Sequence, residues 1–254
     1  MEPKPDAPPA ARLLTEAATA LALLTRLPFV ARRADFERGA AAVWAYPLAG
    51  LAAALIAGGL ASLALALGLP APLAALAALA ALVVTTGAMH EDGLADTADG
   101  FWGGWEVARR LEIMRDSHIG TYGVIALVLS LAARWAALTA LFGAGAVFAP
   151  LIAAAMVSRA AMPAMMAFLP HARRDGLSHA QGRARGERAA VAGAIGLAAA
   201  LLCGALGAAL VAALAALMVM QIARAKINGH TGDTLGAVQQ IGEIAMLFTL
   251  CAAL

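Results

Sequence analysis

The feature that most limits what this chain can become is its series of long apolar runs, each holding at most one charge. They cover residues 43–68, 71–89, 119–142, 146–169, 189–225 and 236–254. A helix needs ~20 residues, at ~1.5 Å each, to cross a ~30 Å hydrocarbon core. Five of the runs have about that length. The 189–225 run is too long for one span, and the glycines Gly204 and Gly207 near its middle divide it into two. Each half is short, near the lower limit of ~17 residues. Hydrophobic residues make up 62% of the 254 residues and charged residues 13%, against ~45–50% and ~25% in soluble domains. A soluble fold of this size cannot hide so much apolar surface, so a soluble enzyme and a disordered chain are both excluded. The sequence predicts an all-α, polytopic integral membrane bundle of about seven transmembrane helices, or six if 189–225 crosses once.

The bundle is expected to form a single membrane-embedded domain over residues 13–254, after a Pro/Ala-rich disordered tail over 1–12. Leu13, Ala17, Leu21 and Leu24 recur at helical spacing, and Glu16, Arg26 and Pro28 interrupt the stretch from Leu13 to Val30. That pattern suits an amphipathic helix lying in the interface rather than a signal peptide or a span. Cys203 and Cys251 lie in separate apolar runs and show neither metal-ligand nor disulfide spacing.

The connections alternate in character. Those near Pro70, Ala144 and Gly207 are short and uncharged. The others carry Arg32, Arg33 and Arg38, then Arg109, Arg110 and Arg115, then Arg173, Arg174, Arg183, Arg185 and Arg188, and finally Arg224 and Lys226. With seven spans these all fall on one side, and the positive-inside rule makes that side the cytoplasm. In a bacterium the chain then belongs in the inner membrane, with lipid as its solvent.

Chemistry concentrates in the charged connections. In His90-Glu91-Asp92-Gly93-Leu94-Ala95-Asp96-Thr97-Ala98-Asp99-Gly100, a helix puts Asp92, Asp96 and Asp99 at i, i+4 and i+7 on one face. Three carboxylates together repel one another unless a cation lies between them. Hard oxygen donors suit Mg²⁺, which in such sites usually also holds a substrate phosphate. The plainer reading is a solvated acidic face. Farther on, Glu112, Arg115, Asp116 and His118 precede Ile119-Gly120-Thr121-Tyr122-Gly123, where arginines could neutralise phosphate and glycine amides could approach an anion. A third segment, Asn228-Gly229-His230-Thr231-Gly232-Asp233-Thr234-Leu235-Gly236, adds a carboxylate on the same side. Arg134 and Arg159 lie within spans and must face the interior, either paired with Glu243 or forming a polar floor under the site.

At these residues the sequence resembles the cobalamin synthase family, the adenosylcobinamide-GDP ribazoletransferases. The matching pieces are Thr25-Arg26-Leu27-Pro28, Tyr46-Pro47-Leu48-Ala49-Gly50, the run from His90 to Gly100, and that from Leu111 to Gly123. Ser158-Arg159, Arg173-Arg174-Asp175-Gly176-Leu177 and Thr231-Gly232-Asp233-Thr234-Leu235-Gly236-Ala237 complete the set. Two places depart from the family pattern: a hydrophobic residue is common where Glu91 stands, and an acid is common near Gln239 or Gln240.

The resemblance implies that adenosylcobinamide-GDP is joined to α-ribazole, or its 5′-phosphate, with release of GMP. It also implies Mg²⁺, for which Asp92, Asp96, Asp99 and Asp233 are the candidate ligands. Arg115 and Arg159 are candidate phosphate clamps, and His90, His118 and His230 are candidate bases. No nucleic-acid partner is expected; a homo-oligomer or a complex with other corrinoid enzymes fits the resemblance. Two other readings are weighed. Another membrane transferase that cleaves a pyrophosphate on an aspartate-rich motif, of the CDP-alcohol phosphotransferase or UbiA type, shares the carboxylates. It would call for an arginine or an Asn-Asp start that this motif lacks. A transporter would carry polar or broken helices in corresponding halves, whereas the acids here cluster toward one face.

Overall fold

In a computed structural model the chain is described at residues 9–28, 36 and 39–254. The expected charges Arg32, Arg33 and Arg38, and most of the tail, lie outside the described residues. Eleven helices longer than one turn are described. They are α1 (Pro9–Leu24), α2 (Tyr46–Ala66), α3 (Ala71–Thr86), α4 (Met89–Gly103), α5 (Val107–Ile113), α6 (Thr121–Gly143) and α7 (Phe148–Phe168). The rest are α8 (Leu177–Gln181), α9 (Gly186–Leu202), α10 (Leu206–Ile227) and α11 (Gly232–Cys251). The turns Gly39–Ala42 and Val43–Ala45 lead into α2. No strand occurs among the described residues; one bridge joins His171 to His230.

The helix ends follow the expected runs within a few residues. α1 begins at Pro9, four residues ahead of the anticipated start, and stops at Leu24, short of Pro28. Gly204 takes a left-handed backbone, φ +67°, and so turns the chain between α9 and α10. By length and composition, five helices can cross a membrane; α3 and α4, bent by 85°, make a sixth if counted as one span. The protein is therefore a multi-pass membrane protein. The anticipated seven is not established by length, because α9 has 17 residues and α3 has 16, ~24–26 Å at ~1.5 Å per residue.

Whether 189–225 returns on itself is decided by packing instead. Two apolar clusters lie one at each end of the bundle. One gathers Ala200 from the close of α9 and Ala208 from the start of α10, with Leu151 at the start of α7 and Leu247 at the close of α11. The other gathers Ile227, Met166 and Leu169 from the opposite ends of those helices, with Leu235, Tyr46 and Leu24. α9 and α10 thus form a hairpin. The start of α11 returns to the end that holds the 170–188 connection, where Arg188 of α9 meets Glu16 of α1 at 2.9 Å.

The larger departure is the 90–118 connection. Its first part is not a loop at the surface but α4, which turns off α3 at Gly87 and Ala88 and packs along α11 and α6. α4 thereby carries polar residues back into the bundle.

Candidate active site

Carboxylates from two helices meet because their backbones can touch. A Cβ on Gly93 of α4 would lie 2.7 Å from the Asp233 carbonyl oxygen, and one on Gly236 of α11 would lie 3.0 Å from that of His90. A side chain at Gly93 would push the two backbones apart and one at Gly236 would crowd them, so the glycines set the crossing that brings Asp92 and Asp96 alongside Asp233. The start of α11 is fixed locally. Thr231 caps it, accepting from the Thr234 amide at 3.3 Å while its own amide donates to Thr234 Oγ1 at 2.9 Å. This reciprocal box satisfies two orphan helix-end donors. It holds Asp233 in the first turn, with the Thr231 hydroxyl donating to Oδ2 at 3.1 Å.

Arg173 stands over this corner, its Nη2 3.3 Å from Asp233 Oδ2 and its Nε 3.6 Å from Asp175. The segment bearing it is laced to the turn before α11: His230 N donates to the Pro170 carbonyl at 2.8 Å and Ala172 N to that of His230 at 2.9 Å. Asp175 in turn meets Arg115 at 2.8 Å. Charges of alternating sign therefore run from α11 across two connections to the rim. Asp92 is exposed and Asp96 half-buried, and neither forms an ion pair among those described.

Asp99 has a different duty. Its two oxygens accept from the amides of Gly120 at 2.7 Å and Gly123 at 2.9 Å, at the start of α6. The glycine amides do bind an anion, as their sequence suggested, but the anion is the chain's own. A carboxylate suits the positive end of a helix, and a Cβ on Gly120 would come within 2.5 Å of Asp99 Oδ1.

Beneath the rim lies a second polar group. Arg134 of α6 meets Glu91 at 2.9 Å and Glu243 at 3.3 Å. Arg159 of α7 lies 3.8 Å from Glu243 and donates to the Ala155 carbonyl at 3.1 Å. Gln239 donates to Glu243 at 2.6 Å and Gln240 to Glu91 at 3.2 Å. All of these side chains are buried.

A sequence model of the family described as cobalamin-5-phosphate synthase matches residues 16–251. The chain belongs to the cobalamin-5-phosphate synthase family. Relatives bear the name adenosylcobinamide-GDP ribazoletransferase. That of Bradyrhizobium diazoefficiens is 46% identical over 217 residues, covering 84% of each chain. That of Mesorhizobium japonicum is 44% identical, covering 96% of this chain and 95% of its own. That of Azorhizobium caulinodans is 45% identical over 93% of this chain and 95% of its own. No solved structure matches.

In this member of the cobalamin-5-phosphate synthase family, the anticipated residues divide into several groups. Asp92, Asp96 and Asp233 come together, with Arg115 linked to them through Asp175 and Arg173. Arg159 is 2% exposed and belongs to the buried group with Glu243 rather than to the open corner. His118 points outward, 90% exposed, with its Nδ1 2.7 Å from Asp116, and this pairing lowers the pKa of the Asp116 carboxyl.

The other two histidines are buried. His90 has neither ring nitrogen partnered and lines a cavity of about 50 Å³ with Tyr46 and Gln181. His230 has Nδ1 3.0 Å from the Pro170 carbonyl, which holds the proton there, and its ring lies 4.6 Å from that of His171. Burial first, then His171, lowers its pKa to about 4, so it is neutral near pH 7.

Arg173 is the site residue that composition and spacing did not single out; its signal lay only in the quoted Arg173-Arg174-Asp175 piece. The two departures from the family pattern also meet here, since Glu91 and Gln240 are hydrogen-bonded. The acid serving Arg134 from that side is supplied by α4.

Proposed function

We propose that the protein joins adenosylcobinamide-GDP to α-ribazole or its 5′-phosphate, releasing GMP, at the end of the bundle where α4 meets α11. The observation that carries this reading is the family membership over residues 16–251, together with an aspartate pair, Asp92 and Asp96, set beside Asp233 without compensating cations of their own. Relatives of 41–46% identity bear the name of that activity.

Mg²⁺ is part of the proposal. Among the described residues no three His, Cys, Asp or Glu side chains converge into a closed cage. Mg²⁺ does not require one, since it commonly keeps waters and takes one or two carboxylates together with substrate phosphates. Asp92, Asp96 and Asp233 are donors of that kind. When bound there, the ion would offset charge on the pyrophosphate and on the departing GMP.

The chain's own groups account for the rest. Arg173 and Arg115 present guanidinium groups to the phosphates from the rim. A ribose hydroxyl attacks the phosphorus that stays with the corrinoid, the bond to the bridging oxygen breaks, and GMP leaves with that oxygen. A loose phosphoryl transition state needs little help from a base. His230, neutral with Nε2 unprotonated, is chemically able to take the proton but is buried. The half-exposed carboxylates and water are nearer the surface.

The charge distribution supports an inner-membrane location with this end in the cytoplasm, because the 170–188 and 224–226 arginines and lysine gather there. Substrate-dependent release of GMP by the purified protein, with Mg²⁺ present and then chelated, tests the reaction and the metal together. Absence of GMP release with both substrates present would remove the reaction. Undiminished release after chelation would remove only the metal. Single cysteines in 226–235, in a background lacking Cys203 and Cys251, test the orientation. Labelling by an impermeant thiol reagent in intact cells would place the site on the outer face.

A further inference from the structure

Away from the aspartate corner, at the same end of the bundle, α1, the 182–185 connection and the start of α9 enclose a pocket of about 490 Å³. Among the described residues its lining includes Arg183, Arg185 and Arg188, beside the carboxylate of Glu16. That carboxylate is already used: Arg188 grips it through two contacts of 2.9 and 3.3 Å, and Trp44 Nε1 donates to it at 2.7 Å. Arg183 spends one nitrogen on the Ala167 carbonyl at 3.1 Å. Arg183 and Arg185 form no ion pair among those described, so the pocket keeps their positive charge around a concave space.

Two further features point to the ligand. Arg185 is the N-cap of α9, a helix of 17 residues, so that helix's unpaired amides and the positive end of its dipole add to the arginines. Leu13 and Leu14 of α1 are 47% and 73% exposed beside the pocket. An exposed apolar edge next to clustered arginines is what an interfacial helix presents at headgroup depth. Guanidinium groups bind phosphate oxygens through paired hydrogen bonds, and basic pockets beside spans take anionic headgroups.

We propose that this pocket binds a phosphate ester, with Arg183 and Arg185 as its principal ligands. Such a group can reach it from two sources, the headgroup of an anionic phospholipid or a soluble phosphate monoester. The site does not use the aspartate corner, and its test does not depend on the transferase reaction.

The full chain in phosphatidylcholine nanodiscs, with and without added phosphatidylglycerol, tests the lipid source by counting the lipid that stays bound in native mass spectrometry. Calorimetric titration with ribose 5-phosphate, in phosphatidylcholine alone, tests the soluble source. Arg185→Gln should weaken whichever probe binds by about fivefold, and Arg183→Gln with Arg185→Gln by about 30-fold. The matched double variant Arg109→Gln with Arg224→Gln, which removes two exposed arginines elsewhere, should bind as the parent does. Retention of phosphatidylglycerol that is lost in the pocket variants identifies a lipid site, and ribose 5-phosphate binding lost in them identifies a soluble one. The proposal is overturned if neither probe binds the parent, or if the matched variant loses as much as the pocket variants.

Discussion

Glu91 and Asp92 are neighbours in sequence and belong to opposite kinds of place. Glu91 is 6% exposed and bonded to Arg134 and Gln240. Asp92, one step of ~100° round the same helix, is exposed and stands by Asp96 and Asp233, where among the described residues only Arg173 answers the three acids with a direct ion pair. The lower group balances two acids against two arginines because a buried unpaired charge is too costly to keep. The upper group is left unbalanced where water and a ligand can reach it. One helix thus serves both a closed structural pairing and an open site, and the difference predicts how each should fail.

The largest effect is expected in the open group. Asp92→Asn and Asp96→Asn keep side-chain shape and remove a hard anionic ligand. Each should lower turnover ~1000-fold or more, the scale of several kcal/mol of transition-state stabilisation. Thermal midpoints in detergent should hardly change, since neither acid has an ion pair to lose. GMP release and unfolding curves on the same preparations check both halves. Asp99→Asn should behave otherwise: its loss falls on stability, because the Gly120 and Gly123 amides lose their charged acceptor. If Asp92→Asn destabilised the protein as much as Asp99→Asn did, the distinction between open and structural carboxylates would fail.

The closed group should break in the opposite manner. Arg134→Met leaves Glu91 and Glu243 without their shared partner and should cost ~3–5 kcal/mol of stability, the usual penalty for orphaning a buried charge. Glu91→Gln together with Arg134→Met removes one charge of each sign and leaves Glu243 to Arg159. The double variant should therefore be more stable than Arg134→Met alone, as measured by thermal unfolding. A double variant no better than the single one would mean that the charges are not balancing each other.

How much of this the sequence revealed depended on the range of the interaction. Span limits were legible, since one charge or one Gly204 marks an end locally. So was the common face of Asp92, Asp96 and Asp99, because helical periodicity is a short-range property. What those acids touch was not legible: Asp99 meets amides 21 and 24 residues on, and Glu91 meets an arginine 43 residues on. The bend between α3 and α4 hid the rest. Charge content suggested a surface loop over 90–118, yet a polar helix can enter a membrane bundle when each buried charge finds a partner there. Arg134 and Gln240 are those partners for Glu91.

His230 sharpens the comparison through pH. Its pKa is lowered to about 4 by burial, against ~6.5 for a free imidazole. The unfolded chain therefore binds the proton first as pH falls. The stability this side chain contributes is fully present above about pH 6.5 and declines between there and about pH 4. His230→Gln should flatten that part of the stability profile. An unchanged slope would mean that the imidazole is not held neutral by its surroundings.

The smallest effect is expected at His118, the one candidate base that the fold turns outward. Its ring is 90% exposed and its hydrogen bond goes to Asp116, two residues away. No contact joins it to Asp92, Asp96 or Asp233, although it lies in the same connection as Arg115. His118→Ala should leave GMP release unchanged from pH 6 to 8, while Arg115→Ala, which cuts the link through Asp175 to Arg173, should lower it. The pair tests whether a charged connection acts as a whole or through the one residue wired to the carboxylates. A large loss in His118→Ala with Arg115→Ala near normal would move the reacting centre off the α4–α11 crossing and toward the 114–118 turn.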